Sequence, residues 1–173
     1  QSIFLNFQPT LPGTIYTAAA EVEAAGGKAL PCIVDVRSDA QVQAAVKKAV
    51  ETFGGIDILI NNASAINLTN TEHLDMKRFD LIQQIVVRGS YMVTKECLPY
   101  LKKSKHAHIL MSTPPLVMQP EVFENHVALT MAKYSAGICM LGMSKEYKKY
   151  NIAVNSLWPW MNVYTAVIEN LIG

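Results

Sequence analysis

Charge is scarce in this sequence. Asp, Glu, Lys and Arg make up 17% of its 173 residues while half are hydrophobic, which excludes intrinsic disorder as the main state. Neither sign dominates: fifteen Lys and Arg against fourteen Asp and Glu leave a formal +1, and no long run of one sign occurs, so nucleic acid is not an expected partner. Cysteine is equally sparse. Cys32, Cys97 and Cys139 are an odd set without a C-x-x-C pair, which excludes a disulfide framework and a cysteine zinc site and points to a reducing, intracellular compartment. The four histidines, His73, His106, His108 and His126, share no ligand spacing, and no metal is expected. No stretch approaches the ~18 uninterrupted apolar residues of a membrane-spanning helix, so no membrane span is expected. Residues 1–9 have no leading Met, basic segment or small-residue cleavage pattern, and they read as the interior of a domain rather than a secretory signal.

What the chain does contain is an alternation of two hydrophobic periods. Residues 14–25 place Ile15, Ala18, Ala19 and Val22 on one helical face and stop at Gly26-Gly27, while residues 29–36 form a β-branched run of strand length. Ser38 followed by Gln41 is a capping-box signature, and Val42, Ala45, Val46, Ala49, Val50 and Phe53 then recur at helical spacing until Gly54-Gly55. Residues 56–60 read as a strand. Asp75 is placed to cap a long helix carrying Phe79, Ile82, Ile85, Val86, Met92 and Val93, with Pro99 disturbing its far end. A strand over 108–112, a helix over 125–147 and a strand over 152–157 follow. Strands separated by helices of this size imply a doubly wound α/β domain, a parallel sheet with helices on both faces, because each parallel connection needs a crossover. The eight methionines are expected to fill the core rather than to line a pocket.

Asp35-Val36 after one strand, Asn61-Asn62-Ala63-Ser64 after the next and Arg88-Gly89 in the long helix resemble the short-chain dehydrogenase/reductase family over nearly the whole chain. The resemblance implies a Rossmann-like fold and hydride transfer between NADP or NAD and a carbonyl or alcohol. It also implies a homo-oligomer built through the two long helices, a small lipid-like ligand, and by analogy alone a peroxisomal or mitochondrial location. Asp35 would hold the adenine amino group and Val36 would add a backbone contact; read as plain structure, Asp35 is a strand-end carboxylate capping the helix after Arg37. Asn62 and Ala63 would line the cofactor, Lys133 would meet the nicotinamide ribose, and Thr165 would lie near the carboxamide, although Trp160 and Met161 replace its usual neighbours. The plain alternatives are a structural turn at Asn61-Asn62 and a solvated or ion-paired Lys133, and both are preferred.

Departures from the family pattern are concentrated where the chemistry would be. The family's Tyr-x-x-x-Lys reads Leu129-Thr130-Met131-Ala132-Lys133, so the lysine is kept while the phenol that gives or takes the proton is replaced by an alkyl group. Tyr134, five residues past the vacated slot, falls on another side of the helix. Counting back three from Gly89 places Val86 where the family has Asn. Thr113 stands at the family's Ser position with Ser112 beside it, and this hydroxyl slot is the best preserved. No G-x-x-x-G-x-G occurs in the sequence, and the resemblance starts near the end of the family's second strand, so an N-terminal β-α-β unit with the pyrophosphate loop is expected to be missing. The catalytic remnant is therefore Ser112, Thr113 and Lys133. Two functional readings stand: a degenerate member serving binding or assembly, and an NADP(H)-dependent oxidoreductase of a lipid-like or steroid-like carbonyl in incomplete or divergent form.

Overall fold

The computed structural model describes residues 13–159, which fall in two compact units, one containing 13–35 with Pro159 and the other Val36–Trp158. In the first, helix α1 (Ile15–Ala24) is capped by Thr14, whose hydroxyl accepts from the Tyr16 and Thr17 amides while the Thr17 hydroxyl accepts from the Thr14 amide. Gly26, at φ +86°, turns the chain out of the helix in a backbone region that side chains disfavour. The strand expected over 29–36 is not formed. These residues are neither helix nor strand, and Ile33 is 77% exposed. A β-branched run becomes a strand only when a neighbour takes its amides and carbonyls, and the described sheet contains no such partner.

The larger unit is built on a three-stranded parallel sheet, β1 (Ile58–Asn61), β2 (His108–Ser112) and β3 (Ala153–Leu157), in that spatial order. Ile58 pairs with His108, and His108 in turn with Ala153, so the strands start level. Ahead of β1, helix α2 (Asp39–Phe53) begins where the Ser38 hydroxyl accepts the Gln41 amide and ends at Gly54, φ +87°. The cap is thus Ser38. Between β1 and β2 a continuous helical segment runs from α3 (Met76–Ile82), capped by Asp75, through a π-helix (Gln83–Gly89) to α4 (Ser90–Leu101). Pro99 lies inside α4 and does not end it. Between β2 and β3 come a short α5 (Pro120–Phe123), α6 (Val127–Glu146) and a 3₁₀ turn (Lys148–Tyr150).

Period-two alternation sends Ile109, Met111 and Val154 to one face of the sheet. There they meet Cys97 and Leu101 of α4 and Met143 of α6, with Tyr147 and Ile152, in the main core. On the other face Ile58 and Ile60 are about three-fifths exposed, so the α4 and α6 layer covers one side of the sheet. Methionine divides between roles: Met92, Met111 and Met143 are core, whereas Met76, Met118 and Met131 are exposed. Helix α6 is long and apolar enough on average to cross a membrane, although polar and charged residues interrupt its apolar run. Its buried side is seated within this unit, where Ala132, Ala136 and Met143 contribute to packed clusters.

Candidate functional site

In parallel α/β sheets chemistry gathers at the carboxyl ends of the strands, where loops leave the sheet beside helix starts. Here that end is formed by Asn61 of β1, Ser112 of β2 and the first half of α6. Lys133 and Leu129, four residues apart, share one side of α6. Lys133 reaches the sheet: its Nζ donates to the Ser112 carbonyl at 3.4 Å. It is half-buried and has no carboxylate partner among the described residues, so no ion pair is formed there, and burial holds its ammonium below the ordinary lysine value.

The two replaced positions belong to one apolar cluster. Val86, 2% exposed, packs with Ile82, Ala132 and Ala136, and Leu129 closes on the same cluster together with Ala65 and Val87. Where a phenol and an amide would cooperate on a proton, the structure has two alkyl side chains in one apolar cluster. Thr113 is buried and donates to the Pro114 carbonyl at 3.3 Å, and a Cβ added at Gly137 would lie 3.7 Å from its Oγ1, so the hydroxyl faces α6. The nearest phenol in sequence is committed elsewhere: Tyr134 donates to the Val117 carbonyl at 2.7 Å, accepts the Val117 amide at 3.2 Å and packs against Phe123 with the two rings tilted by 53°. It holds the loop after β2 rather than filling the vacant slot.

The positions expected to touch a cofactor come from several segments of the chain. Asn61 donates to the buried Thr94 hydroxyl at 2.9 Å, tying β1 to α4, while Asn62 and Ala63 are exposed beyond the strand end. The side chain of Val36 faces Gly89, where an added Cβ would come within 2.9 Å of its Cγ2. Asp35 belongs to the other unit, and Thr165 lies outside the described residues. The groups able to meet a dinucleotide on this unit are Asn62, Ala63, Ser64 and Lys133; none supplies the glycine cradle that a pyrophosphate needs.

Three features had no signal in the sequence. The π-helix over 83–89 widens the turn that carries Val86, and the Gln83 side chain donates to the Ala128 carbonyl at 3.2 Å, joining that turn to the start of α6. The Ser64 hydroxyl and the His126 Nδ1 are both buried without a hydrogen-bond partner. Ser64 adjoins Ala65 of the apolar cluster, and His126 sits at the α6 N-cap one turn before Leu129. Isolated polar atoms of this kind arise from three-dimensional closure and are invisible to periodicity.

The family model for short chain dehydrogenases matches residues 12–171. Hydroxysteroid dehydrogenase-like protein 2 of Xenopus tropicalis is 62% identical over 165 residues, covering 95% of this chain and 39% of that protein. The Homo sapiens protein of the same name is 57% identical over the same length, again covering 39% of its own chain. Among solved structures, a short chain dehydrogenase of Mycobacterium thermoresistibile superposes with a TM-score of 0.90 at 49% identity, covering 96% of this chain and 59% of that one. A metagenomic short-chain oxidoreductase in complex with NADP shares the fold, with a TM-score of 0.77 at 19% identity over 85% of this chain and 66% of that one. This chain therefore spans about two-fifths of the curated relatives it matches. With its parallel sheet, its Lys133 and its Asn-Asn-Ala sequence at the end of β1, the chain belongs to the short-chain dehydrogenase family.

Proposed function

We propose that this chain is a catalytically silent short-chain dehydrogenase that keeps the family sheet and α6 for binding or assembly. One observation carries the reading: the proton-transfer positions, Leu129 and Val86, are both alkyl and pack on one apolar cluster. A carbonyl cannot be reduced without a proton for its oxygen, and no group at these two positions holds one. Retained Lys133 does not replace the phenol, because its ammonium is directed at a backbone carbonyl. Family membership supports NADP or NAD as the group this fold would hold, with Asn62, Ala63 and Lys133 as contacts, and a lipid-like compound as the small ligand. The bound dinucleotide would supply hydride; the proton side of that reaction is what these residues do not fit.

The test is an NADPH-oxidation assay on the full chain with a panel of ketones and aldehydes. No turnover is expected, and Leu129→Tyr alone is not expected to create any, since Val86 still occupies the other polar position. The competing reading, an NADP(H)-dependent oxidoreductase of a lipid-like or steroid-like carbonyl, is favoured by the joint retention of Ser112, Thr113 and Lys133. It prevails if the unaltered chain turns over a substrate and Lys133→Ala abolishes that turnover.

A further inference from the structure

The end of the sheet opposite Lys133 carries a concentration of positive charge drawn from two lysine-rich segments. Residues 102–108 and 145–149 hold six of the fifteen Lys and Arg but one of the fourteen Asp and Glu. Folding joins the two segments around Tyr150, whose ring receives the Lys102 Nζ at 3.9 Å and the Lys149 Nζ at 5.1 Å. Beside this contact a cleft of about 470 Å³ opens at the first residues of β2 and β3. Lys105, His106, His108, Ser144, Lys148 and Asn151 line it, and no Asp or Glu does. His108 Nδ1 lies 2.9 Å from the His106 carbonyl, so Nδ1 carries the proton in that bond and Nε2 is left for another partner.

Helix geometry accounts for part of this charge. Both α4 and α6 end here, and cations complement the carbonyl ends of helices. Two helix ends amount to roughly one negative charge. Glu146 adds one more, and Asp57, which accepts the Ser104 hydroxyl, another. Of the six lysines, Lys105 and Lys148 line the cleft itself, and no carboxylate lines it to pair with them, while Lys102 and Lys149 approach the Tyr150 ring beside it. A polar, cationic cleft with histidine and amide donors matches a tetrahedral, multiply charged acceptor.

We propose that this cleft binds a phosphate group, with Lys105 and Lys148 as its principal cations. The inference is independent of whether the other end of the sheet is catalytic. Two sources carry the same chemistry, a soluble phosphate ester and the headgroup of an anionic phospholipid.

Inorganic pyrophosphate titrated into the full ¹⁵N-labelled chain should shift amides around His106, His108 and Asn151 saturably. Lys105→Gln with Lys148→Gln should weaken that binding by about tenfold or more, and added salt should weaken it further, whereas Lys47→Gln on α2 should not. Circular dichroism of the double variant verifies its fold, and Lys148→Glu provides a second variant. Flotation with phosphatidylglycerol vesicles but not phosphatidylcholine vesicles, reversed by pyrophosphate, assigns the headgroup; pyrophosphate binding without flotation assigns a soluble ester. Absence of both, or binding that the double variant leaves unchanged, overturns the proposal.

Discussion

At the residue scale the most telling position is Lys133, because its neighbours changed and it did not. In the family pattern a lysine beside a phenol has a partner whose proton it influences. Here it has the Ser112 carbonyl and an alkyl neighbour on its own helix, and burial lowers its pKa from the ordinary 10.5. Between the lowered folded value and 10.5 the unfolded chain binds more protons than the folded one, so this group's contribution to stability rises with pH across that window and is least favourable below it. Lys133→Met keeps the length and removes the charge. It is expected to raise the urea midpoint at pH 7 and to remove part of any alkaline gain. Cys97 acts in the opposite sense above pH 9, since burial, aided by Glu96, pushes its thiol to about 11, so the difference between variant and parent isolates the lysine. A Lys133→Met variant less stable at pH 7, with an unchanged pH profile, would assign Lys133 a purely structural bond.

The replacements at Leu129 and Val86 are legible only through the family resemblance, which supplies the motif in which each occupies a counted position. Their mutual packing was not legible. Val86 lies in the π-helix and Leu129 on α6, and nothing in the residues 83–89 announces a widened turn. Asp35 shows the converse. A carboxylate just ahead of a helix reads as its cap, but Ser38 immediately precedes the first turn and takes that role.

Among elements, α2 and β2 were read most closely, because each is self-contained in its signals. Ser38, the apolar stripe and Gly54 delimit α2, and alternation delimits β2. Ser38→Ala is expected to cost about 1 kcal/mol in chemical denaturation, while Ser38→Asp should retain most of the stability. The run 29–36 failed as a strand because pairing is a property of two segments and its partner is not in the described sheet. Junctions between elements give a sharper test. Gly89 joins the π-helix to α4, and a Cβ there would meet Val36 Cγ2 at 2.9 Å, its Cβ at 3.2 Å and the Gln84 carbonyl at 3.3 Å. A stiff β-branched side chain and a backbone oxygen yield little, so Gly89→Ala should destabilise by about 1–3 kcal/mol despite the better helix propensity of alanine. At Gly137 the obstacle is the outer methyl of Leu116 at 2.8 Å, on a partly exposed flexible side chain. Gly137→Ala should therefore be close to neutral. Equal losses at both sites would show that crowding is not what places glycine at 89.

For the whole molecule, the question is what covers the apolar surface that the described fold leaves bare. Two patches compete. One is the sheet face of Ile58 and Ile60; the other is the outer side of α4 and α6, with Tyr91 55%, Ile138 61% and Leu141 59% exposed. Ile138 and Leu141 are three apart on α6, hence on one stripe, and α4 packs beside α6, so the second patch is a surface of two helices. Burying such a stripe against its own copy removes apolar area from water on both partners and closes by two-fold symmetry. The family resemblance assigned the same two helices to self-association. Sedimentation at micromolar concentration is accordingly expected to show a dimer or larger closed assembly. Ile138→Glu with Leu141→Glu should yield a monomer whose circular dichroism is unchanged, because these side chains contribute little to the internal core. Ile58→Lys with Ile60→Lys should leave the assembly intact. If the parent chain sediments as a monomer, the helix surface is not a homotypic interface; if the sheet-face pair dissociates the assembly and the helix pair does not, the copies meet through β1 instead.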